Sequence, residues 1–326
     1  MEKEFIDING DNIDEVFEIH ETKEMGFKTI VNVKDLKGYD IAQFNFIGNN
    51  ISIEKFNTNE LENNGIFIIE KIDTRIFLHR YEYGTLNFIK RYLLIEGKPR
   101  KIPSGEIKWD GGTEIIGVVH LNKYNKKALI YTFLAGFARL PRGLAALDID
   151  TGEKIWDFRM GSFPKNLFIH ESNGVKRFIL TTSAPANEVE INDLDDLHSY
   201  ILILNEDGKL IKKVAIGGKF SDVYSAYLKL REGKSILITL LSSSSSRKPE
   251  KIMYIWNPDS LRIIKKKVLD ENTISKFLLA DMNGDGLHEI LIGDREKGLR
   301  VLDLNLNEIK RSKPFNLHEF LFVEDL

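Results

Sequence analysis

The chain has 326 residues, 42% hydrophobic and 10% aromatic, with a formal net charge of −3 and no cysteine. This supports a large buried core, excludes disulfides, thiolate metal sites and a cysteine nucleophile, and provides no global positive field to attract nucleic acid or anionic lipid. No apolar run reaches the ~18 residues of a membrane span, so no membrane insertion is expected of this segment; Met1 leads at once into a charged strand, so no signal peptide is expected within this segment.

Short apolar runs alternate with Gly-, Asn- and Asp-rich turns, and no stretch keeps a helical period, so the fold class is all-β. Aligning the strand after each acidic or glycine-rich turn brings Val16, Phe67, Leu129, Phe178, Ile236 and Ile290 into register. Their spacing of roughly 50–60 residues suits one four-stranded β-propeller blade per repeat. Six blades are expected, over 1–50, 51–110, 111–163, 164–220, 221–273 and 274–316, in a single domain spanning 1–326. Residues 317–326 repeat the opening of the sixth blade as a closing strand or the start of a seventh. Their stop where an acidic turn is due predicts a piece of a longer protein.

In chain order, the first blade has strands near 4–7, 14–20, 28–34 and 40–47. The second has a weak first strand, then 66–72, 75–80 and 86–95. The third starts at Thr113 and continues through 128–135, 144–148 and 154–158. The fourth has 167–169, 177–182, 200–204 and 210–216, and the fifth 223–230, 236–241, 252–256 and 261–268. The sixth has 277–280, 289–292, 299–304 and a weak strand near 308–310. Continuous apolar runs such as 201–204 suit strands buried between stacked blades.

Two first-to-second turns are acidic: Asp7-Ile-Asn9-Gly10-Asp11-Asn12-Ile13-Asp14-Glu15 and Asp281-Met-Asn283-Gly284-Asp285-Gly286-Leu287-His288-Glu289. Oxygen-bearing side chains at alternate positions, with glycine permitting a tight curl, suit a hard cation such as Ca²⁺. The expected ligands are Asp7, Asn9, Asp11 and Glu15 with the carbonyl of Ile13, and Asp281, Asn283, Asp285 and Glu289 with the carbonyl of Leu287. Carboxylates crowded into one loop repel unless a cation lies among them. The alternative is a pair of Asp-Gly turns without an ion. The matching turns of blades three to five, at His120-Leu-Asn122, His170-Glu-Ser-Asn-Gly174 and Lys229-Leu-Arg-Glu-Gly233, lack this set, and isolated histidines beside lysines make poor metal sites.

Both acidic turns resemble the D-x-N-G-D-G-x-x-D/E signature of FG-GAP/VCBS repeats, the calcium-loop propeller blades also found in integrin heads. The first copy departs at Asn12, where that family prefers glycine. The resemblance implies structural Ca²⁺ and no catalysis. A second stretch, Gly143-Leu-Ala-Ala-Leu-Asp148-Ile-Asp-Thr151-Gly152-Glu-Lys-Ile-Trp156, resembles the A-x-D-x-x-T-G-x-x-x-W repeat of quinoprotein-dehydrogenase-like propellers. There the Thr-Gly turn joins the two outer strands and the tryptophan packs on the neighbouring blade, so Trp156 is expected to be a packing residue. The mixture of blade types also resembles the propeller sensor regions of bacterial membrane sensor kinases. That likeness implies an extracytoplasmic location, in the periplasm or at the cell surface, and a membrane-anchored parent.

The long irregular loops 96–112, 136–142, 183–199 and 242–250 are expected to open on the face opposite the acidic turns, where binding groups concentrate. Trp109, Phe137, Arg139 and Arg142 would form a pocket for an anionic or aromatic small molecule, or meet a protein; the alternative is a surface loop with solvated arginines. The acidic run 188–196 is expected to be a solvated, flexible loop. No phosphate loop, metalloprotease helix, nucleophile elbow or dinucleotide fingerprint is present, so no catalytic residue is assigned. The expected function is a non-catalytic, calcium-stabilised ligand-sensing or recognition domain of a larger bacterial surface or signalling protein. The alternatives are an adhesion or scaffold module binding protein or glycan, and a propeller enzyme of lyase or quinone-dependent dehydrogenase type.

Overall fold

The structure, a computed structural model, describes residues 2–7, 13–22, 28–47, 49–56, 65–97, 100–101, 107–108, 111–134, 140–230, 233–243, 250–270, 272–294 and 298–312. The chain divides into two compact units, Met1–Arg159 and Met160–Leu326. Each contains three four-stranded antiparallel sheets among the described residues.

In the first unit, blade one comprises β1 (Glu2–Ile6), β2 (Glu15–Thr22), β3 (Lys28–Lys34) and β4 (Asp40–Phe46). Blade two comprises β5 (Asn49–Phe56), β6 (Gly65–Ile72), β7 (Arg75–Glu82) and β8 (Phe88–Glu96). A two-stranded ribbon, β9 (Arg100–Lys101) and β10 (Ile107–Lys108), interrupts what reads in sequence as one irregular loop. Blade three comprises β11 (Gly112–Leu121), β12 (Lys126–Leu134), β13 (Arg142–Asp148) and β14 (Lys154–Arg159).

In the second unit, blade four comprises β15 (Phe163–Ser172), β16 (Val175–Ser183), β19 (Ser199–Asn205) and β20 (Leu210–Gly217). A small ribbon, β17 (Glu190–Ile191) and β18 (Leu194–Asp195), is inserted after β16. Blade five comprises β21 (Ser221–Lys229), β22 (Ser235–Ser243), β23 (Glu250–Asn257) and β24 (Arg262–Val268). Blade six comprises β25 (Thr273–Ala280), β26 (Glu289–Asp294), β27 (Gly298–Leu302) and β28 (Glu308–Arg311). Within each sheet the order follows the chain, which is the up-and-down meander of a propeller blade. The strand expected in 317–326 lies outside the described residues.

The hydrophobic pattern explains the layering. Second strands such as β6 and β22 are apolar on both faces because a blade packs on each side. Accordingly, the core consists of clusters between blades. Phe67, Leu78 and Tyr92 of blade two meet Ile115, Leu129 and Leu147 of blade three. Ile179, Ile201 and Ile203 of blade four meet Leu237, Tyr254 and Trp256 of blade five, and Ile238, Met253 and Ile255 of blade five meet Phe277, Ile290 and Leu302 of blade six. Each fully buried Leu, Ile or Phe contributes about 1.5–3 kcal/mol. The fourth strands alternate or face outward, as in β24 and β28.

The third-to-fourth turns repeat one device. Asp35, Asp148, Asn205, Asn257 and Asp303 each close the turn by accepting a backbone N–H from a residue two to four positions on. This side-chain mimicry of a backbone turn underlies the Thr-Gly motif and its weaker echoes. Blade two uses Glu82, which accepts from the Thr85 hydroxyl instead.

The acidic run 188–196 departs from its expected flexibility. Leu194 is fully buried, and the buried Asp196 carboxylate accepts N–H groups from Asn187 and Val189 at 2.9 and 3.0 Å. Gly161 N donates to Leu194 O at 3.0 Å, anchoring the ribbon beside the entry to β15. One apolar residue and one internally satisfied carboxylate outweigh the surrounding surface acids.

Candidate calcium loop and neighbouring polar clusters

Blade six presents the acidic turn in full. Ala280, the last residue of β25, pairs with Glu289, the first of β26, so residues 281–288 form the connection. Asp281 turns inward on its own loop: Oδ1 accepts Gly284 N at 2.7 Å and Oδ2 accepts Gly286 N at 2.8 Å. These N–H groups, Gly286 foremost, hold the Asp281 carboxyl below the usual range against a smaller upward push from burial. Gly284 and Gly286 have φ of +77° and +80°, a region glycine enters without a Cβ clash, and that is what curls the loop.

The remaining acids converge elsewhere in the turn. Asp285 Oδ1 accepts Leu287 N at 2.7 Å, and Glu289 Oε2 accepts Met282 N at 2.8 Å. Asn283 Nδ2 donates to both Asp285 Oδ2, at 3.1 Å, and Glu289 Oε1, at 3.2 Å. The amide group thus stands as a hydrogen-bond donor between two carboxylates. Glu289 is buried, whereas 281–287 are exposed. The donor set is all oxygen with three carboxylates, the chemistry of a hard cation. Among the described residues no three His, Cys, Asp or Glu side chains are gathered as a metal-holding group; Asp281 is occupied with backbone N–H groups and the other two acids with Asn283.

Blade one has the same register. Ile6, the last residue of β1, pairs with Glu15, the first of β2, which gives a connection of equal length over 7–14. Asp7 is half-buried, Ile13 exposed and Glu15 buried; Asn9 and Asp11 lie outside the described residues. Blade two pairs Phe56 with Gly65, so glycine stands where the other two loops place glutamate. Blades three, four and five join their first strands by 122–125, 173–174 and 230–234, turns too short to encircle an ion.

His170, which the sequence alignment set against Asp281, lies within β15 of blade four, pairs with Arg177, and is buried and joined to blade five. Its Nδ1 lies 2.6 Å from Tyr227 Oη and its Nε2 3.0 Å from Asp259 Oδ1, to which Arg177 also donates at 3.2 Å. Burial pushes the Tyr227 phenol up. Asp259 is held below its ordinary value because hydrogen bonds from His170 and Ser172 and the Arg177 charge outweigh its partial desolvation. A chain of phenol, imidazole, carboxylate and guanidinium therefore ties the two blades where the acidic loops are lacking. Sequence reasoning missed it because Tyr227 and Asp259 lie 57 and 89 residues from His170. A second buried set ties one sheet together: Glu70 Oε2 accepts from Arg91 at 3.1 Å and lies 2.8 Å from His79 Nε2.

The expected ligand residues separate. Trp109, Phe137 and Arg139 lie outside the described residues. Arg142 is not on an open loop: it is the first residue of β13, pairs with Leu134 and is fully buried. β13 is buried along its whole length, and its first residue shares that environment. Trp156 is half-buried on β14 opposite Ala146.

No protein-family model matches the sequence, and no curated protein matches it. Among solved structures the chain is similar to the Dos1 propeller, with a TM-score of 0.58 and 13% identity over 96% of this chain and 70% of that one. It is similar to a europium-containing methanol dehydrogenase at TM-score 0.51 and 8% identity, covering 96% and 69%. It is also similar to the quinohemoprotein alcohol dehydrogenase of Comamonas testosteroni at TM-score 0.50 and 12% identity, covering 93% and 58%. At these identities the likeness concerns the fold, and the fold is a β-propeller.

Proposed function

We propose that this chain is a non-catalytic recognition propeller stabilised by Ca²⁺ in the acidic loops of its first and last described blades. The observation that carries the reading is Asn283, whose amide donates to Asp285 and Glu289 at once. A donor bridging two carboxylates stands in for a cation, and Ca²⁺ would replace it while Asp281, Asn283, Asp285, Glu289 and the Leu287 carbonyl supply oxygen ligands. Asp7, Asn9, Asp11, Glu15 and the Ile13 carbonyl would act likewise in blade one. The ion would stiffen the turns and take no part in any reaction. Recognition would fall to the long loops bearing Trp109, Phe137 and Arg139, with buried Arg142 supporting them from β13. Such a domain suits an extracytoplasmic sensor or signalling parent of the kind the blade mixture resembles. Recognition is favoured over catalysis because the buried His170 and His79 clusters tie blades and strands together.

Thermal unfolding in CaCl₂ and in EGTA tests the calcium reading, because an ion bound only by folded loops raises the melting temperature by mass action. Calcium should stabilise the wild type, EGTA should reverse this, and Asp285→Asn should abolish the blade-six share. Tyr124→Ala, in a short turn of blade three, should leave the calcium increment intact. Equal melting temperatures in CaCl₂ and EGTA would overturn the proposal.

A further inference from the structure

We propose that the outer edge of blade five, strand β24, is a docking edge for an extended acidic peptide segment that adds to the sheet as a fifth strand. The surface is separate from both the acidic turns and the long loops. Its sequence is Arg262-Ile-Ile-Lys265-Lys266-Lys267-Val268. Among the described residues β24 pairs with β23 alone, so its other edge has no strand partner there.

Charge distinguishes this edge. On two other outer strands bases pair with acids: Arg311 with Glu308 at 2.6 Å on β28, and Lys154 with Asp157 at 3.0 Å on β14. On β24 neither Arg262 nor any of the three lysines has a carboxylate within 4 Å among the described residues, and Lys212 and Lys213 on β20 of blade four have none either. Their contacts are to neutral groups. Lys212 and Lys267 reach the carbonyl oxygens of Ser260 and Leu306, Lys213 reaches that of Asp193, and Lys266 lies over the Tyr254 ring at 5.6 Å. Six cations on two consecutive edges, in a chain of net charge −3, form a local positive field complementary to an acidic partner.

Exposed apolar groups flank the three lysines. Ile263 is 51% exposed, Ile264 49% and Val268 70%. Three consecutive lysines between Ile263-Ile264 and Val268 match an extended peptide with a short acidic run flanked by apolar residues: its main chain would pair with the edge, its acids would meet the lysines and its apolar side chains the exposed isoleucines and Val268. Lysine on an edge opposes pairing with a second copy of itself, so the same charges that suppress self-association select an acidic partner. Nucleic acid fits less well. The aromatics on the neighbouring strand, Tyr254 and Trp256, are buried and provide no stacking platform, and a phosphate backbone would leave the isoleucines uncovered.

The test is fluorescence anisotropy of the full chain with a labelled Glu-Val peptide, three consecutive Glu between Val pairs. Saturable binding is expected, weakened at least about tenfold by the pair Lys265→Glu and Lys266→Glu. A peptide N-methylated at alternate residues keeps the charge but cannot pair, and it should also bind at least about tenfold more weakly. Unchanged circular dichroism and thermal unfolding of the double variant show that it is folded. Absence of binding to the Glu-Val peptide would overturn the proposal. So would equal affinity for the N-methylated peptide, or for single-stranded DNA or anionic vesicles, because charge alone would then account for it.

Discussion

Lys267 Nζ, on the outer strand of blade five, donates to the Leu306 carbonyl oxygen in the third-to-fourth turn of blade six at 2.6 Å. The same relationship joins Lys90 of blade two to Asp150 O of blade three at 2.7 Å, and Lys212 of blade four to Ser260 O of blade five. A fourth-strand lysine therefore reaches across to the next blade's outer turn at three interfaces. The turn carbonyls need an acceptor's partner there because the chain reverses and the ladder ends.

Replacing Lys267 by Met should cost about 0.5–1.5 kcal/mol, the net worth of one such bond, and Lys90→Met should cost less because its bond is more exposed. Urea unfolding measures both. Lys310→Met, on an outer strand without this reach, should change little; an equal loss there would show a general edge effect.

The His170 chain is the inter-blade tie most sensitive to truncation. Tyr227→Phe removes the hydroxyl 2.6 Å from Nδ1, and Asp259→Ala removes the carboxylate beside Nε2. Each should destabilise by about 1–3 kcal/mol, since a buried imidazole nitrogen is left unmatched. A double-mutant cycle between the two should give a coupling above about 0.5 kcal/mol through the shared ring. Strict additivity would mean that the imidazole does not link them.

Acid should destabilise the fold through three carboxylates. Glu18 is lowered to about 2 chiefly by its hydrogen bonds to Lys3 and Lys34, and Glu308 to about 2 by Arg311 and Arg300 against an upward push from burial. Burial also pushes Asp148 up, but Lys126 and the N–H groups of Thr151 and Asp150 outweigh it and bring the acid to about 2. A carboxyl whose folded pKa lies below its unfolded value favours folding when ionised. That stability is fully present above the unfolded pKa and is lost as pH falls towards about 2. Stability should therefore drop between about pH 4.5 and 2, and Glu18→Gln should make the drop shallower; an unchanged acid limb in that variant would remove Glu18 from the account.

Gly161 tests the packed ribbon. A Cβ there would meet Leu194 O at 2.2 Å and Val189 O at 2.4 Å, both backbone atoms that cannot step aside. Gly161→Ala should cost about 1–3 kcal/mol through overpacking. Gly218→Ala, where a Cβ meets nothing within 4 Å, serves as the comparison in the same unfolding assay.

Much of the architecture is legible in local pattern. The strand boundaries over 28–34 and 289–292 fall within β3 and β26, and even the weak last strand near 308–310 is present as β28. The first strand of blade two reads poorly because Asn49, Ser52 and Glu54 dilute its apolar signal, yet it forms as β5 by pairing with the apolar β6. Arg142 reads as a loop residue because it follows Pro141; the burial of β13 overrides that cue.

By itself the sequence determined the all-β class, the repeat length and the acidic composition of two turns, because these depend on periodicity and on neighbours within a few residues. Tertiary structure decided which polar groups meet. His170 finds Tyr227 and Asp259, Lys267 finds Leu306 and the acidic ribbon folds on Gly161, because stacking sheets brings together residues distant in the chain. Burial favours a partner for each polar atom so enclosed, and both ring nitrogens of His170 find theirs in the next blade.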